Sequence, residues 1–445
     1  MQSFVMRKTV MKNIFLLALV SATLTKAQIT FSRLDSLFAY AEKNSVTVKT
    51  ATQQSLLAKW TKVAAVANTV NFRNPLSFSV TDNMLLPVSF IPASAFGGKP
   101  GDLKAITLGQ QYVSNFNFNP QIDIINPYNL AKVKSASLNK ELTELTNLAN
   151  KKNLFESMAA AFYNILAFQE QIKITKQNFV AADSLVFIVK NKFAQGIIRE
   201  QDVNNSTVNQ LNVKDKLNQL IVSLEQQYNS LKILCDIPPT TKLNILEPLD
   251  YQPTAYSSEL KATSSLLFKS TVLQSEYMRS ELRANRISTL PVLSAVYYNG
   301  WQQNSNNNLF DSKSVWIQSQ YIGLRVTVPF PADVNKLSQN YTSKVNFRIA
   351  ELNAEHAKLQ NDLTNQSLNL EYDKNFASYV IVKQVYELKN ENYNKSLNQY
   401  KEGILSTELL LSAFTDMLNS RLNYVSAKAA LEFSKSKINI NNNLK

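Results

Sequence analysis

The chain has 445 residues, 45% hydrophobic and 18% charged, which is ample for a packed core and too polar for a multi-helix membrane protein. Only 8 Gly and 13 Pro are present, so collagen-like and loop-rich chains are excluded and long helices are favoured, because these two residues are what interrupt them. One Cys excludes an internal disulfide framework, and the single His, His356, leaves no His-rich metal site and at most one base for Ser-His-Asp or Cys-His catalysis. No enzyme is expected, and no cofactor or metal.

The net charge of +14 is interleaved with Asn, Gln and Glu along the chain. A nucleic-acid or anionic-membrane partner requires Lys and Arg gathered in a run or stripe, so the excess reads as a solvated helical surface with no nucleic-acid partner. Residues 1–27 read as an export signal: Arg7, Lys8 and Lys12, the apolar run Ile14 to Val20, then small residues ending Thr25-Lys26-Ala27 before Gln28. The run is too short for a membrane anchor, and either Met1 or Met11 can serve as the start. No Cys lies near the cleavage point, so no lipid anchor is expected.

The mature chain follows one order twice. Residues 29–74 and 254–290 have few breakers and predict helices. After each, the periodicity changes to two, the mark of strands with different faces. The first half gives Leu76-Ser77-Phe78-Ser79-Val80 and 112–122, separated by a loop at 92–104. The second gives 290–301 and 315–330, separated by 302–313. Then come two long stretches, 128–237 and 332–445, with no Pro and one Gly each, Gly196 and Gly403. A helix over 130–192 would reach roughly 95 Å and needs a partner along its length. The returning arm offers one: Leu217, Leu220/Ile221, Leu224, Tyr228, Leu231 and Leu234/Cys235 recur at three and four, against Leu154, Met158, Ala161/Phe162, Ile165, Phe168 and Ile172. In the second half Leu388, Tyr393, Leu397 and Tyr400 precede Leu410, Phe414, Met417/Leu418, Leu422, Val425 and Ala429. Both halves therefore read as antiparallel helical hairpins with Gly at the tip, and the chain as a duplication. The divisions are 1–27 signal, 28–235 first repeat, 236–253 linker, 254–438 second repeat and 439–445 polar tail.

Strands of about ten residues, alternating and rich in aromatics near their ends, suit a transmembrane barrel. The competing reading is a small soluble sheet with one face on a core. Four strands cannot close a barrel, and open edges are not tolerated in lipid, so copies must pool strands. Three chains give twelve. On the barrel reading the fold class is mainly α with a β-barrel part: long coiled-coil hairpins forming an α-barrel, and four strands per chain in a shared trimeric barrel.

This order resembles the TolC-like outer-membrane efflux proteins over essentially the whole mature chain. The segment from Pro120 to Tyr128 and Val328-Pro329-Phe330-Pro331 are similar to that family's strand-to-helix junctions, and Ala159-Ala160-Ala161-Phe162-Tyr163 to its long helix. Phe193-Ala194-Gln195-Gly196-Ile197-Ile198-Arg199-Glu200-Gln201-Asp202-Val203 is similar to the first hairpin tip, and Tyr400-Lys401-Glu402-Gly403-Ile404-Leu405-Ser406-Thr407-Glu408-Leu409-Leu410 to the second. The resemblance implies a homotrimer in outer-membrane lipid, with its helical part in the periplasm. It implies a passive exit duct for a tripartite pump or type I secretion system, docking onto a periplasmic membrane-fusion adaptor and an inner-membrane transporter of the RND or ABC type. One departure is Leu409, standing six residues after Gly403 where the family usually has an acid. Glu408 lies one earlier, and the first tip keeps the spacing with Asp202.

Gly196, Ile197, Ile198, Gly403, Ile404 and Leu405 are candidates for adaptor docking, against the plain alternative of capped turns with buried apolar neighbours. Arg199, Asp202, Ser406 and Glu408 are candidates for a periplasmic gate, against solvated surface charge. Tyr112, Tyr297, Tyr298, Trp301, Trp316 and Tyr321 form a membrane-interface girdle on the barrel reading and core on the soluble one. His356 reads as a helical surface residue and Cys235 as a small core residue. The alternative function is a soluble periplasmic coiled-coil adaptor or interaction protein, although adaptors normally carry one hairpin and Gly-rich β-domains.

Overall fold

A computed structural model describes residues 28–248, 265–329 and 334–444. The export signal, residues 249–264 of the linker and second flanking helix, and the junction residues Phe330 and Pro331 lie outside the described residues.

The first flank opens as a short strand, β1 (Gln28–Phe31), and then forms two helices, α1 (Leu34–Asn44) and α2 (Val46–Ala67). They part at Ser45 with no Gly or Pro. The Ser45 hydroxyl donates to the Leu234 carbonyl (3.1 Å) and the Val46 N–H donates to the Asp236 carboxylate, so an acid sits where an exposed helix N-terminus wants one. Next come β2 (Phe72–Arg73) and β3 (Leu76–Asp82), one course interrupted at Asn74-Pro75. The expected loop at 92–104 carries a hairpin of its own, β4 (Val88–Pro92) with β5 (Leu103–Thr107). The strand expected over 112–122 is β6 (Tyr112–Phe118) and β7 (Gln121–Ile125), divided at Pro120, which has no N–H to give the ladder.

The hairpins are long. Helix α3 (Pro127–Ala194) has 68 residues and starts on a Pro, whose fixed φ suits a first helical turn; α4 (Glu200–Cys235) returns. The linker forms β8 (Lys242–Ile245), which pairs in parallel with β1. Helix α5 (Leu266–Ile287) leads to β9 (Val292–Ser305) and β10 (Trp316–Thr327). Helix α6 (Val334–Lys401) again has 68 residues, and α7 (Thr407–Asn443) returns. The segment drawn as a polar tail from 439 is helical through Asn443, because Ile440 is buried in a core cluster and holds the last turns.

The chain divides into two compact units that cut across both repeats. Among the described residues the first comprises 28–54, 144–248, 265–269 and 356–444. In it Leu154, Phe155, Met158, Phe162 and Ile165 of α3 pack on Tyr228, Leu231 and Cys235 of α4, on Leu37 and Ala41 of α1, and on the β1–β8 pair. Elsewhere in this unit Phe414, Met417, Leu418, Leu422 and Val425 of α7 meet Ile174 of α3 and Val213 of α4, so the two hairpins share a core. The expected seam holds at Leu220, Tyr228, Leu231 and Cys235, whereas Ile221 and Leu388 are exposed. The second unit, 55–143 and 270–355, holds the main sheet and the adjoining ends of α2, α3, α5 and α6. There Lys132 pairs with Glu281 (2.5 Å) and Asn285 donates to Ser343 (2.6 Å). Among the described residues no helix is long and apolar enough to cross a membrane.

Candidate functional site

In the second unit the sheet has four courses. The β2/β3 course pairs with β7/β6, both β7 and β6 pair with the same side of β9, and β10 covers the other side of β9, all antiparallel. Directly paired residues share a face. One face therefore carries Phe72, Leu76, Phe78, Val80, Phe116, Phe118, Ile122, Leu293, Ala295, Tyr297, Trp301, Ile322, Leu324 and Val326. The opposite face carries Arg73, Ser77, Ser79, Asn115, Asn117, Gln121, Asp123, Ser294, Ser319, Arg325 and Thr327. Apolar on one side and polar on the other, with period two, is the pattern of a barrel wall between hydrocarbon and an aqueous lumen. Ser114, Asn299, Gln303, Ser305, Gln318 and Gln320 interrupt the apolar face toward the β9–β10 loop, and Val113, Val292, Val296 and Ile317 lie on the polar face.

The register separates the six aromatics. Tyr112, Tyr297, Trp301 and Trp316 lie on the apolar face. Tyr298 and Tyr321 pair with each other on the polar face, stacked at 5.1 Å, and the Tyr298 hydroxyl donates to Asn117 (2.9 Å). These two therefore lie off the face that carries the other four; Tyr297 and Tyr298 are sequence neighbours and a strand must point them apart.

Where the sheet meets α3, Asp123 is 1% exposed and fully bonded. It accepts from Asn71 (2.9 Å), Asn126 (3.0 Å) and Ser294 (2.8 Å), and pairs with Arg73 at 3.2 Å. Three courses and the first turn of α3 are tied at one carboxylate, an arrangement that sequence reading did not single out. The only sequence signal was an acid at an inward strand position just ahead of Asn126-Pro127.

In the first unit the two tips have the same build. At Gly196 (φ 71°) the Ile197 N–H reaches the Lys192 carbonyl (3.0 Å) and the Gly196 N–H reaches Phe193 (2.9 Å). At Gly403 (φ 78°) the Ile404 N–H reaches Gln399 (2.9 Å) and the Gly403 N–H reaches Tyr400 (3.1 Å). Both are Schellman closures, which place a left-handed residue after the helix and favour Gly there. The apolar pairs then divide. Ile198 and Leu405 pack on a tip core of Leu185, Val189, Tyr400, Leu410 and Leu411, while Ile197 and Ile404 are 64% and 72% exposed. Across the tips, Lys192 donates to the Tyr400 carbonyl (3.3 Å) and lies 4.0 Å over its ring.

The four gate candidates also divide. The Asp202 carboxylate accepts from the Arg199 N–H (3.1 Å) at the start of α4, and the Ser406 hydroxyl accepts from the Leu409 N–H (3.4 Å) at the start of α7. Both serve as helix caps. Arg199 and Glu408 are exposed. His356 is exposed on α6, and Cys235 is buried, its thiol pushed up to about 12 chiefly by burial and then by neighbouring Asp236.

The described residues thus combine a two-faced antiparallel sheet with paired long helical hairpins, a mainly α class with a curled sheet part. Residues 102–235 match the family model described as outer membrane efflux protein. The fold is that of VceC from Vibrio cholerae, at 16% identity and a TM-score of 0.71, covering 92% of this chain and 95% of that one. It is similar also to the CmeC outer membrane channel of Campylobacter jejuni (18% identity, TM-score 0.68, 92% and 84% covered). A third likeness is to the MtrE outer membrane channel of Neisseria gonorrhoeae (14%, TM-score 0.65, 93% and 90%). No curated protein matches by sequence.

Proposed function

We propose that this protein is one third of a homotrimeric exit duct: a shared twelve-stranded barrel in the outer membrane, reached by an export signal, over a helical tunnel in the periplasm. The observation that carries this reading is the sheet with an apolar outer face and two unpaired edges, the β2/β3 course and β10. Four courses cannot close a barrel, and hydrocarbon satisfies no free backbone N–H or C=O. Three copies supply twelve courses and remove every edge. Helix faces in the same unit support this. Leu56, Leu57, Trp60 and Val63 of α2, and Leu337, Tyr341, Val345, Ile349 and Leu352 of α6, are exposed at spacings of three and four, the kind of stripe that another helix covers.

On this reading the tips dock a periplasmic membrane-fusion adaptor served by an inner-membrane transporter of the RND or ABC type. Ile197 and Ile404 are the projecting knobs, with Gly196 and Gly403 keeping the turns tight, and Ile198 and Leu405 fasten the tips from within. Arg199 and Glu408 remain the side chains available for contacts that close the entrance. Asp202 and Ser406 act on the gate through the helix starts they cap.

Membrane fractionation with unheated gel mobility tests the duct. The expected result is an outer-membrane protein that runs as a trimer until heated and opens ion-conducting channels in planar bilayers. Recovery in the aqueous periplasmic fraction as a monomer would instead establish the soluble coiled-coil adaptor. An unchanged conductance in both Arg199→Ala and Glu408→Ala would remove these two from the gate.

A further inference from the structure

A cavity of about 760 Å³ in the second unit lies among α3, α5 and α6. Its wall carries Lys134 of α3, Arg279, Arg283 and Arg286 of α5, and Lys344 of α6, against one acid, Glu276. The three arginines are spaced i, i+4 and i+7, which sets them on one side of α5. All five cations are exposed. Ser280 and Leu282, which line the cavity beside them, are buried, as is Ala284, and Ser280 is bonded to Ser135 (2.9 Å). Lys132 and Arg348 of this unit have acids, Glu281 and Glu351, whereas Lys59 of α2 is a single exposed cation away from the cavity. The five around the cavity have no ion pair or hydrogen bond among the described residues. Like charges one helical turn apart cost stability, and an anion held among the five would relieve that repulsion.

We infer that this cavity binds a phosphate-bearing anion, held by the α5 arginines in forked, charge-assisted hydrogen bonds and by Lys134 and Lys344 as point charges. Arg286 lies about two helical turns or less from the start of β9, and Lys134 is within about two turns of the start of α3 just beyond β7, by the helical rise. If the sheet spans a bilayer, that depth meets the headgroups of the adjoining leaflet, and basic pockets between helices at that level bind lipid phosphates. A soluble phosphate compound passing the protein presents the same chemistry. The phosphate class rests on the cavity alone; only the lipid source rests on the proposed function, so the two can fail separately.

The test uses the full chain purified in detergent and in vesicles. Inorganic pyrophosphate is titrated in detergent. Separately, lipid retained through purification from phosphatidylcholine vesicles with and without phosphatidylglycerol is identified by mass spectrometry. The expected result is saturable binding of pyrophosphate, selective retention of phosphatidylglycerol, or both. Binding should weaken about tenfold or more in Arg283→Gln/Arg286→Gln, at the strength of a charge-assisted pair, be partly restored in Arg283→Lys/Arg286→Lys, and stay unchanged in Lys59→Gln. Retention of lipid without pyrophosphate binding assigns the site to a headgroup; pyrophosphate binding without lipid selectivity assigns it to a soluble anion. Binding of neither probe, or equal binding by the Gln variant with an unaltered circular dichroism spectrum, overturns the inference. So does loss of trimer in the Gln variant without anion binding in the wild type, since acids of a neighbouring copy would then be the partners.

Discussion

Ile322 gives the sharpest test of the barrel, because its substitution has different outcomes in lipid and in water. It lies in the middle of β10, opposite Tyr297 on the apolar face, and is 84% exposed. Ser319, three residues earlier, is paired with Gly300 on the polar face. If the apolar face meets hydrocarbon, Ile322→Arg places a cation near the bilayer midplane at a cost of about 2–4 kcal/mol per chain. Summed over three copies that is about 6–12 kcal/mol, as large as the whole stability of many domains. Ser319→Arg points into an aqueous lumen and should change stability by no more than about 0.5 kcal/mol. If the sheet is soluble, Ile322→Arg merely trades an exposed apolar side chain for a solvated one, and both variants stay within about 0.5 kcal/mol. The assay is folding from urea into lipid vesicles, scored by the heat-sensitive trimer band and the urea midpoint. A wild-type midpoint for Ile322→Arg would refute the lipid-facing assignment of the whole face, since one register fixes all of it.

Phe414 is fully buried in the shared helical core, and Phe414→Ala should lose about 3–5 kcal/mol in a denaturant melt. Leu388→Ala, at a position 62% exposed in the single chain, should be nearly silent until the protein is assembled. A Cβ added at Gly196 or Gly403 meets nothing within 4 Å, so Gly→Val costs about 1–2 kcal/mol of left-handed strain while Gly→Asn costs less. Loss of drug resistance in the Asn variants, with the trimer intact, therefore reads docking, and full resistance would remove the tip glycines from it. Burial raises the Glu432 carboxyl, with Glu247 adding to the effect, so the folded chain holds that proton up to a higher pH than the unfolded one. Stability is thus lost as pH rises from the unfolded toward the folded value, and Glu432→Gln should gain over wild type above that window and converge with it below. A constant gap in melting temperature across pH would contradict this. The Cys235 thiol should resist maleimide in the folded protein and react after denaturation.

The hairpins were legible because their punctuation is local: Gly196 and Gly403 stand alone in long Pro-free stretches, and a Schellman turn needs nothing from the rest of the molecule. The break at Ser45 was not, because its cause is Leu234 and Asp236, far away in sequence. The β1–β8 pairing is likewise a four-residue parallel contact between distant segments, too short for periodicity to reveal. Period two was sufficient to separate Tyr297 from Tyr298, yet grouping aromatics by position along the chain discarded it. Asp202 and Ser406 stand at cap positions readable from sequence, three residues into α4 and one residue ahead of α7. The basic excess looks interleaved along the chain, but α3, α5 and α6 bring five of its members to one cavity. Sequence distance conceals a cluster made by three helices.

On the proposed trimer, the exposed apolar residues and the open edges have one physical cause. Helix α6 leaves Leu337, Tyr341, Val345, Ile349 and Leu352 uncovered in the second unit, and in the first unit Leu359, Leu363, Leu370, Ile381, Val385 and Leu388 of the same helix are exposed at comparable spacings. A chain stable alone would carry polar residues there, because a continuous apolar stripe in water gains nothing and invites aggregation. Each unit, taken by itself, thus leaves apolar surface that the proposed neighbouring copy would cover, as the sheet leaves backbone groups. Folding and assembly are then a single equilibrium, and stability depends on protomer concentration. Substitutions on these stripes should act on the trimer rather than the protomer, so the same Leu→Ala that is silent in a dilute monomer becomes costly once three chains have closed.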